Sequence, residues 1–244
     1  MWDNPRLLNA TASALLALVA AAAVYAGLQL LVRSSLFPLR ELVVAGSLEH
    51  TSRAQIERAS GGFGGNFFAA DLAALRSRLE SLPWVRRVEV RRVWPDRVEV
   101  ALEEHVALAR WGEDGLVNTF GEPFPGRTDG EHAARLPLFA GPARTEGELA
   151  RRYQRFAAIL QPLGETPERV ILTPRYAWQL RTSGGLQLEL GRDGAEPVEA
   201  RLARFVAAHP VTLGRLQRRA ESNTRQVDLR YPNGFALRVP EWSG

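Results

Sequence analysis

Residues 12–32 carry no charged side chain, and that run limits what this 244-residue chain can be more than any other feature. At about 1.5 Å rise per residue, a helix of that length crosses the roughly 30 Å hydrocarbon core of a bilayer. Tyr25 lies inside the run and Arg33 closes it. The competing reading is a cleaved signal peptide, since Val24-Tyr25-Ala26 offers a small residue at a plausible cleavage point. The apolar core of a signal peptide usually stops after about 7–15 residues, whereas this run continues through Leu28, Leu30 and Leu31. An uncleaved anchor is therefore expected at 12–32, behind a short tail at 1–11. Flanking charge orients it weakly, because Arg6 is offset by Asp3 while Arg33 and Arg40 follow the span, and long domains cross membranes largely regardless of such charges. The short tail favours N-in, C-out.

Beyond the anchor, a 45 % hydrophobic content is ordinary for a folded chain, and the length suggests one or two domains. There is no cysteine, which excludes disulfides, thiolate catalysis and cysteine-ligated metals, so an exported domain is held by its core alone. The net charge is +4 and the chain has no lysine, so its basic charge is all arginine. Arginine presents a fixed fork to phosphates and carboxylates, but here it is interleaved with acids. That pattern describes solvated faces rather than a nucleic-acid-binding patch.

The first globular stretch, 36–105, reads as strand, helix, helix, strand, strand. Leu42, Val43 and Val44 form a short strand ending at Gly46. Ser52-Arg53-Ala54-Gln55 is a capping box that opens a helix. Gly61-Gly62, Phe63 and Gly64-Gly65 lack the lysine and hydroxyl that a phosphate-cradling loop needs, so this is a turn with Phe63, Phe67 and Phe68 as plugs. Asp71 caps a second helix with Leu72, Leu75, Leu79 and Leu82 on one stripe, stopped by Pro83. Val88 and Val90 then alternate with Arg87, Glu89 and Arg91, and Val98, Val100 and Leu102 repeat the period of two after a turn at Trp94-Pro95-Asp96.

The second stretch, 106–242, reads as a larger antiparallel β domain with flanking helices, giving an α+β fold overall. Ala107-Leu108-Ala109-Arg110-Trp111 is a strand, and 115–124 is a hairpin carrying Leu116, Val117 and Phe120. A Gly-, Pro- and Arg-rich loop at 125–135 leads to Leu136-Pro137-Leu138-Phe139. A helix from Glu146 bears Leu149, Tyr153, Phe156, Ile159 and Leu160 on one side and ends near Pro162. Strands follow at Val170-Ile171-Leu172, Trp178-Gln179-Leu180 and 186–190, the last two joined by a turn at Gly184-Gly185. Pro197 opens another helix with Val198, Leu202, Phe205 and Val206 inward. The chain closes with strands at 227–231 and 235–239 around a Pro232-Asn233-Gly234 turn.

Little of this carries catalytic chemistry. His50, His105, His132 and His209 are far apart, and none has metal-ligand spacing. There is no G-x-S-x-G elbow and no S-x-x-K pair. Glu103-Glu104 and Glu113-Asp114 are adjacent carboxylates whose side chains point apart on a strand. No enzymatic activity, cofactor or metal is expected.

Two segments resemble a known family. Leu82-Pro83-Trp84-Val85, Arg91-Arg92-Val93-Trp94-Pro95-Asp96 and Val98-Glu99-Val100 look like the signature of the POTRA domain of the FtsQ/DivIB bacterial cell-division family. Ala109-Arg110-Trp111, Trp178-Gln179-Leu180, Leu190-Gly191-Arg192, Arg201-Leu202-Ala203-Arg204-Phe205 and Val227-Asp228-Leu229-Arg230-Tyr231 are similar to landmarks of that family's β domain. The resemblance covers nearly the whole chain and departs at the N-terminal and C-terminal tails, which are short here. It implies a single-pass inner-membrane protein with a POTRA domain (36–105) and a β domain (106–242) on the periplasmic side, enriched at the division septum.

A protein of this kind acts through surfaces. The last hairpin offers a sheet edge whose unpaired N–H and C=O groups accept a partner strand. The resemblance implies that the partner there is FtsB, in a trimeric subcomplex with FtsL, and that Arg175, Arg230, Tyr231, Gly234 and Phe235 form the contact. Two arginines suit a partner glutamate, and Tyr231 suits a rigid anchor, although the same residues also fit as a part-buried tyrosine and two solvated arginines. The resemblance further implies recruitment through FtsK at Arg87, Val90 and Arg92, and a link to the septal synthase complex. Val90 also fits as plain core, since it alternates with Val88. Two other classes compete with this scaffold reading. A POTRA-bearing assembly factor or chaperone of the cell envelope predicts tandem repeats and a barrel, and a membrane-tethered cell-wall hydrolase predicts a carboxylate or metal cleft.

Overall fold

The computed structural model describes residues 5–32, 34, 37–112, 115–128, 130–210, 225–231 and 234–238. Asp3, Arg33, Leu36, Glu113, Asp114, the turn residues Pro232 and Asn233, Val239 and Trp242 lie outside the described residues, and with them the expectations that rest on those positions. The chain divides into two compact units, 1–104 and 105–244.

The first unit begins with helix α1 (Pro5–Val32). Its segment Asn9–Leu31, 23 residues, is long and apolar enough to cross a membrane, and none of it is buried by protein. Leu15, Leu16, Leu18, Val19, Val24 and Leu30 all stand exposed along it, which in water would be a large unsatisfied apolar surface and in lipid is none.

After α1 the unit is a three-stranded sheet under two helices. Strands β1 (Glu41–Ala45), β2 (Val85–Val93) and β3 (Arg97–Glu104) lie in the order β1-β3-β2. β1 runs parallel to β3 and β2 antiparallel to it, and Val100 stands beside both Val44 and Val90. Helix α2 (Arg53–Ala59) starts as its sequence predicts: the Ser52 side chain accepts from the Gln55 N–H and the Gln55 side chain reaches back to the Ser52 N–H. Helix α3 (Leu72–Glu80) is capped by Asp71, which accepts from the Ala74 N–H at 2.9 Å. Ile56, Leu75 and Leu79 from these helices close over Val85, Val88, Val98, Val100 and Leu102. Each large apolar side chain fully buried in this way stabilises by about 1.5–3 kcal/mol. Gly46 follows β1 at a φ of +143°, where a Cβ would stand 2.5 Å from the Leu102 carbonyl oxygen, so no larger residue fits that exit.

Two long-range contacts tie this unit's loops. Glu104, at the end of β3, accepts from three successive backbone N–H groups, Glu49 at 2.9 Å, His50 at 3.1 Å and Thr51 at 2.7 Å. Trp84 of the Leu-Pro-Trp motif is buried, and the His50 ring stacks on it at 3.7 Å between centroids.

The second unit is built on a nine-stranded sheet in the order β12-β11-β10-β9-β8-β7-β4-β5-β6. Its strands are β4 (Ala107–Trp111), β5 (Gly115–Asn118), β6 (Pro123–Phe124), β7 (Leu138–Ala140), β8 (Pro167–Leu172), β9 (Trp178–Thr182), β10 (Leu186–Gly191), β11 (Arg225–Asp228) and β12 (Ala236–Arg238). Helix α4 (Gly130–Arg135) falls in the segment read as a loop, and α5 (Glu146–Leu160) and α6 (Val198–Ala208) are the two helices expected.

The expectation of an antiparallel domain is corrected here. The sheet is mixed, with parallel pairs at β4–β7, β7–β8 and β10–β11. The physical reason is the connections: α5 links β7 to β8 and α6 links β10 to β11, and parallel neighbours require such crossovers. Both helices lay apolar faces on the sheet, where Leu149, Phe156, Leu160, Leu202 and Phe205 meet Phe139, Val170, Trp178, Leu188 and Val227. β11 also begins earlier and ends earlier than 227–231, because after Asp228 the chain keeps one ladder bond, Leu229 N–H to the Glu189 carbonyl at 2.9 Å, and then turns away.

Candidate partner-binding surfaces

At one edge of the nine-stranded sheet lies β12, paired only to β11 among the described residues. The segment leading into it is shaped by an anchor and two outward residues. Leu229 is buried beside Val227, so Arg230 and Tyr231 are thrown to the surface. Tyr231 is 54 % exposed, and its backbone carbonyl accepts from Arg204, which also grips Glu196 at 2.7 Å. Gly234 is half-buried, and Phe235 is half-buried edge-on against Phe205 with ring centroids 5.5 Å apart. Phe235 therefore fastens the hairpin to α6 while Tyr231 stands free of the core.

Arg230 is already engaged. Its Nε lies 2.8 and 3.0 Å from the two Asp228 carboxylate oxygens and its Nη2 lies 2.6 Å from Oδ2, while its backbone N–H donates to Oδ1 at 3.0 Å. The hydrogen bond from the Arg230 side chain is the main reason that the Asp228 carboxyl is held below its ordinary range, against a burial effect of opposite sign. The guanidinium is in turn shifted upward, first by that hydrogen bond and then by the Asp228 charge. Gly191 adjoins this pair at a φ of +76°, where a Cβ would sit 2.9 Å from the Arg230 Cγ. Arg201 ties off the same corner by donating to the carbonyls of Leu190, Arg192 and Glu196 at 2.7–3.0 Å.

Arg175 lies in the turn between β8 and β9, closed by Tyr176 N–H to Thr173 carbonyl at 2.8 Å. The registers Trp178 to Gly191 and Glu189 to Asp228 bring that turn, the end of β10 and the end of β11 to the same end of the sheet. Arg175 and Arg230 thus share an end across two strands, and no hydrogen bond joins them among the described residues. Beside Arg175 stands Tyr176, 59 % exposed at a φ of +57°.

In the first unit, β2 is an edge strand, but its three candidate residues do different things. Arg87 is on the solvent face, 3.3 Å from Glu89. Val90 is half-buried against the core. Arg92 donates to the carbonyls of Phe67 at 2.9 Å, Phe68 at 3.4 Å and Ala70 at 2.7 Å, and so pins the 67–70 segment to the strand. The neighbouring arginines Arg86 and Arg91 are paired with Glu103 and Glu99. Three of the four arginines of this strand are thus paired with carboxylates in place.

Residues 37–105 match the family model described as POTRA domain, FtsQ-type, and residues 109–230 match that described as Cell division protein FtsQ/DivIB, C-terminal. The chain belongs to the FtsQ/DivIB family. It is 42 % identical over 241 residues to the cell division protein FtsQ of Burkholderia pseudomallei, covering 98 % of this chain and 94 % of the relative. It is 40 % identical over 244 residues to FtsQ of Nitrosospira multiformis, covering 98 % and 99 %. Against FtsQ of Escherichia coli it is 32 % identical over 206 residues, 82 % of this chain and 72 % of the relative. Membership in the FtsQ family places the chain in bacterial cell division, and its N-terminal apolar helix is compatible with single-pass anchoring.

Sequence reasoning missed several residues at the FtsQ-type β-domain corner. Asp228 had a usable signal, since positions 228 and 230 share a face by the period of two in a strand. Gly191, Arg201 and Arg204 lay in motifs quoted for resemblance alone, and their roles as space, clamp and tether depend on the crossover that brings α6 beside β10. Nothing in the sequence marked Tyr176, because an isolated tyrosine in a turn has no periodic context.

Proposed function

We propose that this chain is a divisome scaffold, anchored by α1 in the inner membrane with its globular units in the periplasm, whose last hairpin receives a strand from FtsB in a complex that includes FtsL. The observation that carries this reading is the edge of β12, unpaired among the described residues, beside an exposed Tyr231 and a carboxylate-fixed Arg230. An edge strand supplies main-chain hydrogen bonds, and a rigid aromatic next to a charged fork supplies the selective contacts. Arg230 presents its remaining N–H groups to a partner carboxylate while Asp228 keeps the fork from wandering, and Arg175 lies at the same end. The POTRA unit, through Arg87 and the β2 edge, serves recruitment by FtsK. In this reading the protein performs no catalysis, and it acts by positioning the partners that control septal peptidoglycan synthesis.

The test is binding of the full chain, in lipid nanodiscs, to the periplasmic segment of FtsB. Tyr231→Ala and Arg230→Glu are expected to lose on the order of 2 kcal/mol or more while remaining folded. Failure of the wild-type chain to bind overturns the partner, and wild-type affinity in both variants overturns the site.

A further inference from the structure

The sheet face not covered by α5 and α6 carries a row of arginines. The registers Arg110 to Leu138, Leu138 to Arg169 and Arg169 to Arg181 place these side chains side by side across β4, β7, β8 and β9. Together with Arg135 of α4 they line a cavity of about 440 Å³, whose other walls are Ala134, Leu136, Pro137, Leu138, Thr166, Glu168 and Ser183. Four guanidinium groups thus face one lining carboxylate, Glu168, which stands 3.9 Å from Arg181.

Three features of this row make poor sense for stability alone. Arg169 stands directly opposite Arg181, and like charges at facing positions destabilise a strand pair. The side chains of Arg110, Arg135 and Arg169 form no ion pair among the described residues, unlike Arg86, Arg87 and Arg91 of β2. The Arg110 Nε is buried without a hydrogen-bond partner, and an unsatisfied charged donor costs more than an ordinary lost hydrogen bond. An anion seated in the cavity answers all three.

We infer that this cavity binds an acidic segment of a protein partner, at a site separate from the C-terminal hairpin. The spacing selects the peptide. Arg110 and Arg169 leave the sheet two strand intervals apart, about 9.6 Å, with apolar Leu138 between them, so the row offers separate forks on either side of an apolar strip. An extended peptide sets same-face side chains about 6.7 Å apart, so it delivers two carboxylates to separate guanidinium forks and lays its backbone over the Leu136-Pro137-Leu138 wall. Arginine is the residue suited to such planar, bidentate capture. The inference does not rest on the FtsB assignment.

The experiment uses the full chain in nanodiscs of neutral lipid and a fluorescein-labelled octapeptide alternating glutamate and valine, with a glutamine–valine peptide as control. Fluorescence anisotropy is expected to show binding of the acidic peptide alone. The double variant Arg169→Gln/Arg181→Gln is expected to weaken it at least tenfold while melting no lower than wild type, because the substitution removes a repulsion. Tyr231→Ala is expected to bind the acidic peptide unchanged. Absence of binding by wild type, equal binding by the double variant, or loss of binding in Tyr231→Ala each overturns the proposal. Displacement of the peptide by inorganic pyrophosphate at comparable concentration overturns the peptide class and makes the cavity a small-oxyanion site.

Discussion

Arg230 and Asp228 close on each other across a single buried residue, with Nη2 to Oδ2 at 2.6 Å and Nε to Oδ1 at 2.8 Å. The pair sits where the parallel ladder of β10 and β11 stops and the chain swings out toward Tyr231. A guanidinium held this way enters a complex with less side-chain freedom left to lose.

The pair fixes the pH behaviour of this corner. Asp228 has a folded value below its unfolded one of about 3.9, so its contribution is complete above that pH and is lost as pH falls through the lower folded value. Carboxyl-detected NMR is expected to show Asp228 titrating below the ordinary aspartate range in wild type. Arg230→Ala moves the midpoint up, and an unmoved midpoint would show that the hydrogen bond is not the cause.

Gly191 is held at a left-handed φ against Arg230, so Gly191→Ala combines backbone strain with a clash at 2.9 Å. The strain alone costs roughly 1–2 kcal/mol. Chemical unfolding is expected to report a loss of at least that size, together with weaker FtsB binding because the Arg230 side chain must shift.

The Glu104 carboxylate holds the amides of residues 49–51. Burial pushes its titration up, but the hydrogen bonds from the 49–51 segment outweigh it and hold the group below its ordinary range. Glu104→Ala leaves the three amides unpartnered, at a cost of roughly 2–4 kcal/mol. Hydrogen exchange at Glu49, His50 and Thr51 is expected to accelerate sharply, with little change in the second unit.

Arg92 and Arg87 separate architecture from surface on the same strand. Arg92→Ala orphans the carbonyls of the 67–70 segment and is expected to destabilise the first unit by roughly 1.5–3 kcal/mol. Arg87→Ala removes an exposed pair with Glu89 and is expected to change stability by no more than about 0.5 kcal/mol. Any recruitment defect in Arg87→Ala is then a contact effect, while one in Arg92→Ala is read only after the melting curve.

What the sequence made legible was local. The Ser52 and Gln55 capping box, the Asp71 cap, the leucine stripe of α3 and the valine alternation of β2 and β3 all appear where a few neighbouring residues dictate them. The mixed sheet was not legible, because the pairing of β10 with β11 joins strands separated by a helix and the residues after it, and the period of two is the same for parallel and antiparallel neighbours. At the candidate surfaces, the exposure of Tyr231 follows from its place beside buried Leu229, whereas the contact of Phe235 with Phe205 and of Arg92 with three carbonyls depends on packing partners remote in sequence.

The insertion of β11 between β10 and β12 has a consequence for biogenesis. Until residues 225–228 are seated, the rim of the sheet is β10, a strand whose inward side chains are Leu186, Leu188 and Leu190. That rim is an open template for indiscriminate strand pairing, whereas the finished rim among the described residues is β12, three residues long, reached through the turn that carries Arg230 and Tyr231. The closing hairpin therefore works as a seal, and a chain that stalls before it forms is a candidate for aggregation and proteolysis.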